Sequence, residues 1–194
     1  MRNFGTSTGM IAFLIFNQYF VKTKTLPNPC VMKIRLPFIL ALFLSITSFA
    51  QSPYSTIKLE TTADYKVAEP AVLKATNYLF ASKFDKEDLE RLYAIEFIMK
   101  WMGGTPDFTF ELSENFTKPF LDDTDLLGFY MGAVAKFALE HKAQAKEINV
   151  VNLNAAKMIV EYSSKPGNNL KQTGELKKMA TALKKGELEK YFGI

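Results

Sequence analysis

The stretch MKIRLPFILALFLSITSFAQ (Met32–Gln51) decides which residues of this chain are left to fold. Lys33 and Arg35 give it a positively charged start, and the apolar run Leu36–Ile46 follows. These eleven residues are too few for a membrane-spanning helix, which needs about 20, but they suit the hydrophobic region of a secretory signal peptide. The sequence therefore predicts that residues 32–50 direct export.

The end of this stretch predicts where the leader is removed. Ser48 and Ala50 place small residues at the third and first positions before a cut after Ala50, so that Gln51 begins the mature protein. The alternative is an uncleaved anchor in which Phe49 extends the apolar run. We expect cleavage, and with it a protein that crosses the inner membrane, keeps no membrane span, and is periplasmic or extracellular.

Residues 1–31 precede the leader, although a signal peptide belongs at the N-terminus. The simplest interpretation is a start codon assigned too early, with Met32 as the true start, and an unstructured or unusually long leader is the alternative. Cys30, the single cysteine of the chain, lies in this part. The mature domain is therefore expected to fold on its apolar core, without a disulfide or a thiolate metal site.

The charge balance changes once the leader is set aside. The whole chain has 24 basic and 20 acidic residues, a formal net charge of +4. Residues 1–51 contain five of the basic residues and none of the acidic ones, so the remainder has 19 against 20 and a net charge of −1. The basic character of the chain thus belongs to the leader, and we expect no nucleic-acid partner.

Beyond the leader, the apolar spacing predicts an all-α protein. Residues 51–64 are polar and predict an exposed arm, and residues 65–194 predict a single helical domain. The first helix is expected to begin near Glu69 and Pro70, because proline is favoured in a first helical turn. Asp85 is expected to cap the second helix. The predicted buried stripe of that helix consists of Leu89, Leu92, Ile95, Met99 and Met102.

Three more helices and a final turn are expected. The acidic cluster Asp122–Asp125 predicts the start of the third helix. Gly128 and Gly132 lie four residues apart within it, and since a helical glycine costs about 1 kcal/mol, the pair predicts close approach of another backbone. The later elements are expected at 150–162, 176–183 and 188–192. Together these make five to six helices, arranged as an irregular bundle or a short stack of helix pairs.

Residues 103–121 interrupt the helical pattern. Phe108, Phe110 and Leu112 alternate with polar residues at a period of two, and the segment exceeds the usual helix–helix connection of about 2–8 residues. Because aromatic side chains anchor interfaces, this aromatic-rich extended insertion predicts binding of a partner protein or an apolar ligand. The alternative is that its aromatics form a lid over the core. The candidate binding residues are Trp101, Phe108, Phe110, Phe116 and Phe120.

Signals for catalysis are weaker. His141 is the only histidine, and without a cysteine in the mature domain we expect no metal site. We expect no cofactor either, because no glycine-rich phosphate loop follows a strand. The alternative function is a small hydrolase or lyase that uses carboxylates, with Glu96, Asp107 or Glu111 as candidates beside His141. A surface ion pair with Lys100 is the competing interpretation of Glu96.

Several short runs carry a resemblance. The segments Ile98–Met102, Asp107–Phe110 and Leu183–Tyr191, together with the cleavage region Phe49–Ser52, resemble uncharacterised secreted helical proteins of Gram-negative bacteria. The resemblance covers most of the mature chain. It implies an extracytoplasmic helical domain, and it brings no known activity and no catalytic residues.

Overall fold

The computed structural model describes residues 52–194. The predictions for residues 1–31, for the signal peptide at 32–50 and for cleavage after Ala50 lie outside the described residues. The helices of the described part are α1 (Thr62–Ala81), α2 (Leu89–Met102), α3 (Glu114–Thr117), α4 (Thr124–Glu140), α5 (Ile148–Ser163), α6 (Gly174–Lys185) and α7 (Leu188–Phe192).

The predicted all-α class is confirmed. Residues 52–194 form seven helices and no strand, and two short 3₁₀ turns lie at Lys118–Phe120 and Pro166–Asn168. This is slightly more than the five to six helices predicted, because the four-residue helix α3 lies inside the insertion. No helix between residues 52 and 194 has both the length and the apolar character to cross a membrane.

Helix α1 begins about two turns earlier than predicted. Thr61 caps it in a reciprocal capping box, in which the Asp64 carboxylate accepts the amide proton of Thr61 at 2.8 Å. Pro70, expected in the first turn, lies in the helix interior. A proline removes one helical hydrogen bond, and because Pro70 is exposed, the carbonyl left without that bond can be hydrated.

The segment before α1 is less exposed than predicted for residues 51–64. The ring of Tyr54 stacks on Phe97 of α2 with centroids 4.7 Å apart, and Leu59 is buried. Ile57 is half-buried. The alternation of Ile57 and Leu59 with charged residues therefore marks an irregular segment that lies against α2, and not a free arm.

The buried face of α2 differs from the predicted one. Leu89, Leu92 and Met99 are 54%, 54% and 44% exposed. The side chains that α2 buries are Arg91, Ala94, Phe97, Ile98 and Trp101. The predicted stripe was wrong at the three exposed positions, whereas Ile95 and Met102 are half-buried against the core. The sequence contains two apolar series at helical spacing, and the core mainly uses the one that includes Arg91. The N-cap is Asp88 and not Asp85, since Asp88 accepts the amide protons of Glu90 and Arg91.

Helix α4 lies at the centre of the fold. It packs against α1, α2 and α5, and its N-cap is Asp123, within the predicted acidic cluster. Gly128 and Gly132 allow the close approach that was predicted, although the neighbours are side chains and not a backbone. A β-carbon on Gly132 would lie 2.7 Å from Leu79, and one on Gly128 would lie 2.9 Å from Ile95.

The C-terminal helices form a pair on the outer side of α5. Helix α6 packs against α5 and against α7, and it buries Leu176 and Met179. Gly186 ends α6 in the left-handed conformation with φ of 70°, which glycine adopts without steric cost. The four long helices α1, α2, α4 and α5 thus form an irregular bundle that α6 and α7 extend.

Candidate binding groove at the aromatic insertion

The five predicted binding aromatics fall into two groups by exposure. Trp101, Phe116 and Phe120 are completely buried, whereas Phe108 and Phe110 are half-buried. Phe116 stacks on Phe192 at 4.5 Å between ring centroids. These placements leave Phe108 and Phe110 as the aromatics that a ligand can reach.

The second half of the insertion serves the core. Phe120 stacks on Tyr130 of α4 with centroids 4.4 Å apart. The side-chain amide of Asn115 donates to the carbonyl oxygen of Phe192 at 3.0 Å and so joins the insertion to the chain terminus. This half matches the lid that was the alternative interpretation of the aromatic cluster.

The first half of the insertion is built around the only tryptophan of the chain. The rings of Phe108 and Phe110 lie 5.4 and 5.8 Å from that of Trp101. The indole N–H of Trp101 donates to the carbonyl oxygen of Tyr65 at 3.0 Å. Trp101 therefore forms a buried support for two rings that are partly open to solvent.

Backbone groups are exposed beside these rings. Among residues 52–194, no group accepts a hydrogen bond from the backbone N–H of any of the six residues Asp107–Leu112. Phe108 and Phe110 are half-buried while Thr109 and Glu111 are exposed, which is the alternation of an extended chain. Successive N–H groups of an extended chain point to opposite edges, so about three of these six are available along one edge for a partner chain, like the edge of a sheet.

A buried polar network holds the far end of this segment. The hydroxyl of Tyr130 donates to the Asn152 side-chain oxygen at 2.6 Å. The side-chain amide of Asn152 in turn donates to the carbonyl oxygens of Glu111 and Ile148 at 3.3 and 2.9 Å. Burial raises the pKa of Tyr130, so the phenol stays protonated and can serve as the donor.

A groove of about 750 Å³ opens beside Phe108 and is called here the insertion groove. It lies between the first turns of α1, the segment 106–109 and the loop that leads into α5. Lys142 pairs with Glu69 across it, whereas Lys66 and Lys146 have no carboxylate partner within residues 52–194. The groove is lined by Lys66, Glu69, Pro106, Asp107, Phe108, Thr109, Lys142, Ala145, Lys146 and Ile148.

A second groove, of about 670 Å³, lies between the end of the insertion and α6. Its most ordered feature is the hydroxyl of Tyr191, which donates to the Glu175 carboxylate at 2.6 Å. Lys178 also contacts Glu175 at 2.7 Å, and these two partners lower the pKa of Glu175. Glu175 and Tyr191 thus pair with each other at this groove, and no residue of the extended segment 107–112 lines it.

The candidate catalytic residues do not come together. Glu96 lines a small cavity beneath Tyr54, and Asp107 lines the insertion groove, to which neither Glu96, Glu111 nor His141 contributes. His141 ends α4 and stacks on Phe137 at 4.3 Å. The predicted surface pair of Glu96 with Lys100 is also not formed within the described part. Residues 52–194 contain no cluster of three or more His, Cys, Asp or Glu suited to a metal.

The residue that sequence reasoning missed most clearly is Arg91. Its side chain is only 3% exposed, and its guanidinium carbon lies 4.9 and 5.1 Å from the ring centres of Phe84 and Phe129. Within residues 52–194, its Nε and Nη1 are buried without a hydrogen-bond partner. The signal that could have revealed it is spacing, because Arg91, Ala94 and Ile98 also follow one another at helical intervals.

The network around Arg91 is structural. Tyr162 of α5 donates its hydroxyl proton to the carbonyl oxygen of Ser82 at 2.6 Å and lies 3.4 Å from Nη2 of Arg91. Burial raises the pKa of Tyr162, and the positive charge of Arg91 opposes that shift. The pair joins α2, α5 and the end of α1, away from the insertion groove.

Comparison of the chain with protein-family models, with curated proteins and with solved structures finds no match.

Proposed function

We propose that this chain is an exported, non-catalytic binding domain whose ligand surface is the insertion groove. The observation that carries the proposal is the row of six unbonded backbone amides at Asp107–Leu112, which lies beside a half-buried phenylalanine and an open groove. Free amide groups along an extended segment are what a second extended chain pairs with in β-augmentation. A polypeptide segment is therefore favoured over a purely apolar ligand.

The aromatic support strengthens this proposal. Phe108 stacks with Phe110 at 6.0 Å, and both rest on the buried Trp101. Rings that are held in place lose little conformational freedom when a partner binds, which favours affinity. The dispersed positions of Glu96, Asp107 and His141 give no comparable support to the alternative of a carboxylate-dependent hydrolase or lyase.

The binding role is tested on an array of random-sequence peptides probed with the purified protein. We expect a subset of peptides to bind, to change the fluorescence of Trp101, and to slow hydrogen exchange at residues 107–112. Phe108→Ala should weaken this binding about ten-fold, because aromatic anchors dominate interface energies. Leu92→Ala removes an exposed leucine on α2 and is the matched control. Binding that survives Phe108→Ala, or no binding at all, contradicts the proposal.

Export is tested separately. The leader proposed at residues 32–50 predicts that N-terminal sequencing of the protein from the extracytoplasmic fraction begins at Gln51. Replacing Ala50 by a bulky residue should block cleavage, because the peptidase requires a small side chain there. Recovery of the uncleaved chain from the cytosol contradicts this part of the proposal.

A further inference from the structure

We propose that the insertion groove binds the C-terminal end of an extended polypeptide, with its free carboxylate held by Lys66 and Lys146. This inference rests on the proposed function and adds the chemistry of the bound end. It follows from three features of one surface: the charges that line the groove, its apolar wall and the direction of the unbonded backbone.

The charges of the groove leave two cations available. Three lysines and two carboxylates line it, and Lys142 is already neutralised by Glu69. Lys66 on α1 and Lys146 before α5 have no ion-pair partner within the described chain, and both are exposed. Asp107 is the remaining carboxylate, so the unpaired charges sum to +1. This excess complements an anionic group of a single charge.

The apolar wall lies close to these cations. Phe108 and Pro106 line one side of the groove and Ile148 lines another. A polypeptide end brings a carboxylate and an apolar side chain on the same residue, so it can occupy the cationic and apolar parts together. A free phosphate or a metal-bound anion would leave the apolar wall without a contact.

The backbone supplies the third feature. Residues 107–109 line the groove and begin the run of unbonded amides. A chain that pairs with this run presents its own carbonyl and amide groups to it, and such pairing requires an extended peptide. The last residue of the bound peptide then lies beside Lys66 and Lys146, and its preceding residues run along the segment toward Leu112.

An exposed leucine lies at the end of the segment toward which the bound peptide would run. Leu112 is 45% exposed, and it continues the alternation of Phe108 and Phe110. In an extended pair, the side chains of every second residue meet on one face. An apolar residue upstream in the bound peptide would cover Leu112, whereas the charged side chain of Glu111 would face solvent.

The test uses the same random-sequence array, synthesised once with free C-terminal carboxylates and once as carboxamides. Peptides that bind are expected to do so about five-fold more tightly as the carboxylate, a ratio in line with two exposed ion pairs. The preference should shrink with added salt, because such pairs are screened. Replacing both cations, as Lys66→Gln with Lys146→Gln, should remove the preference.

A matched control separates this effect from a general loss of charge. Lys157→Gln removes an exposed cation of α5 that does not line the groove, and it should keep the five-fold preference. If both peptide forms bind equally well and Phe108→Ala still weakens that binding about ten-fold, this inference is overturned and the proposed function stays intact. If no peptide binds in either form, both this inference and the proposed function are overturned.

Discussion

Nη2 of Arg91 lies 2.9 Å from the carbonyl oxygen of Leu79, and this contact joins the C-terminal end of α1 to α2. The same nitrogen donates to the carbonyl oxygen of Lys83 at 3.2 Å. The last carbonyl groups of a helix lack partners within the helix, and α1 has no basic residue in its last turn. Arg91 therefore supplies from a neighbouring helix the cation that a helix C-terminus favours.

Arg91→Lys is expected to lower the free energy of unfolding by about 2 kcal/mol. Lysine keeps the charge, but it loses the planar group that lies over the rings of Phe84 and Phe129 and that can reach several carbonyl oxygens. Urea titration measures the change. Lys83→Met alters an exposed side chain in the same loop and should cost less than about 0.5 kcal/mol. Equal stabilities of the two variants would show that the Arg91 contacts contribute little.

Arg91 lies on α2, the helix whose buried face was predicted wrongly from the sequence. The positions of α5 and α6 were predicted to within about two residues, because each has one apolar series at helical spacing. Helix α2 has two such series, and the predicted one proves exposed at Leu92 and Met99, because the core takes the series that contains Arg91, Phe97 and Trp101. Which series is buried depends on contacts with other helices, such as that of Arg91 with the carbonyl oxygen of Leu79, and no local pattern in α2 contains that information.

The candidate site was predictable only in part, for a similar reason. The period of two at Phe108 and Phe110 correctly marked an extended segment. The burial of Phe116 and Phe120 depends on their ring partners Phe192 and Tyr130, which come from other helices. The lysines of the groove come from the first turns of α1 and the loop before α5, so that only the folded chain brings them beside the insertion.

Gly132→Ala is expected to destabilise the protein by about 1 kcal/mol. An added β-carbon would lie 2.7 Å from Leu79, and such overpacking costs roughly 1–3 kcal/mol, which exceeds the gain of about 1 kcal/mol in helix propensity. Thermal unfolding shows whether the Gly132→Ala variant is less or more stable than the parent. Gly174→Ala is the control, since nothing lies within 4 Å of a β-carbon there. A Gly132→Ala variant as stable as the parent would indicate that Leu79 moves aside freely.

The adjacent glycines that end α2 should respond differently to the same change. A β-carbon on Gly104 would lie 2.0 Å from the hydroxyl oxygen of Tyr65, whereas one on Gly103 would have its nearest contact at 3.5 Å. Gly104→Ala must therefore displace Tyr65, whose carbonyl oxygen accepts the indole N–H of Trp101. We expect a shift in tryptophan fluorescence for Gly104→Ala and none for Gly103→Ala. Identical spectra for both variants would contradict this packing.

Acid should destabilise the protein through its helix caps. Burial opposes ionisation of Asp123, but Lys86 at 3.0 Å and the amides of α4 outweigh it and lower the pKa of this carboxyl below its usual 3.8. The unfolded chain then binds more protons, so the stabilisation is present above about pH 4 and is lost as the pH falls through the folded-state pKa.

Asp123→Asn tests this pH dependence, because asparagine is a good N-cap that cannot ionise. The variant should be less stable than the parent at neutral pH, and it should lose less stability as the pH falls from about 4 through the lowered pKa of Asp123. Denaturant titrations across this range measure the slope. Asp122→Asn removes one negative charge from the same segment without affecting a cap. If stability falls with pH equally steeply in the parent and in Asp123→Asn, the Asp123 cap is not the source of the acid sensitivity.

Tyr130→Phe should loosen the insertion as well as the core. It leaves the buried side-chain oxygen of Asn152 without its donor at 2.6 Å, which costs roughly 1–3 kcal/mol. Because Asn152 also holds the carbonyl oxygen of Glu111, the insertion segment should be held less firmly in Tyr130→Phe and peptide affinity should fall. Tyr191→Phe removes a hydroxyl bonded to the half-buried Glu175 and should change stability by less than about 1 kcal/mol. If Tyr130→Phe lowers stability without altering peptide affinity, the network supports α4 and α5 alone, and the segment is held by Trp101.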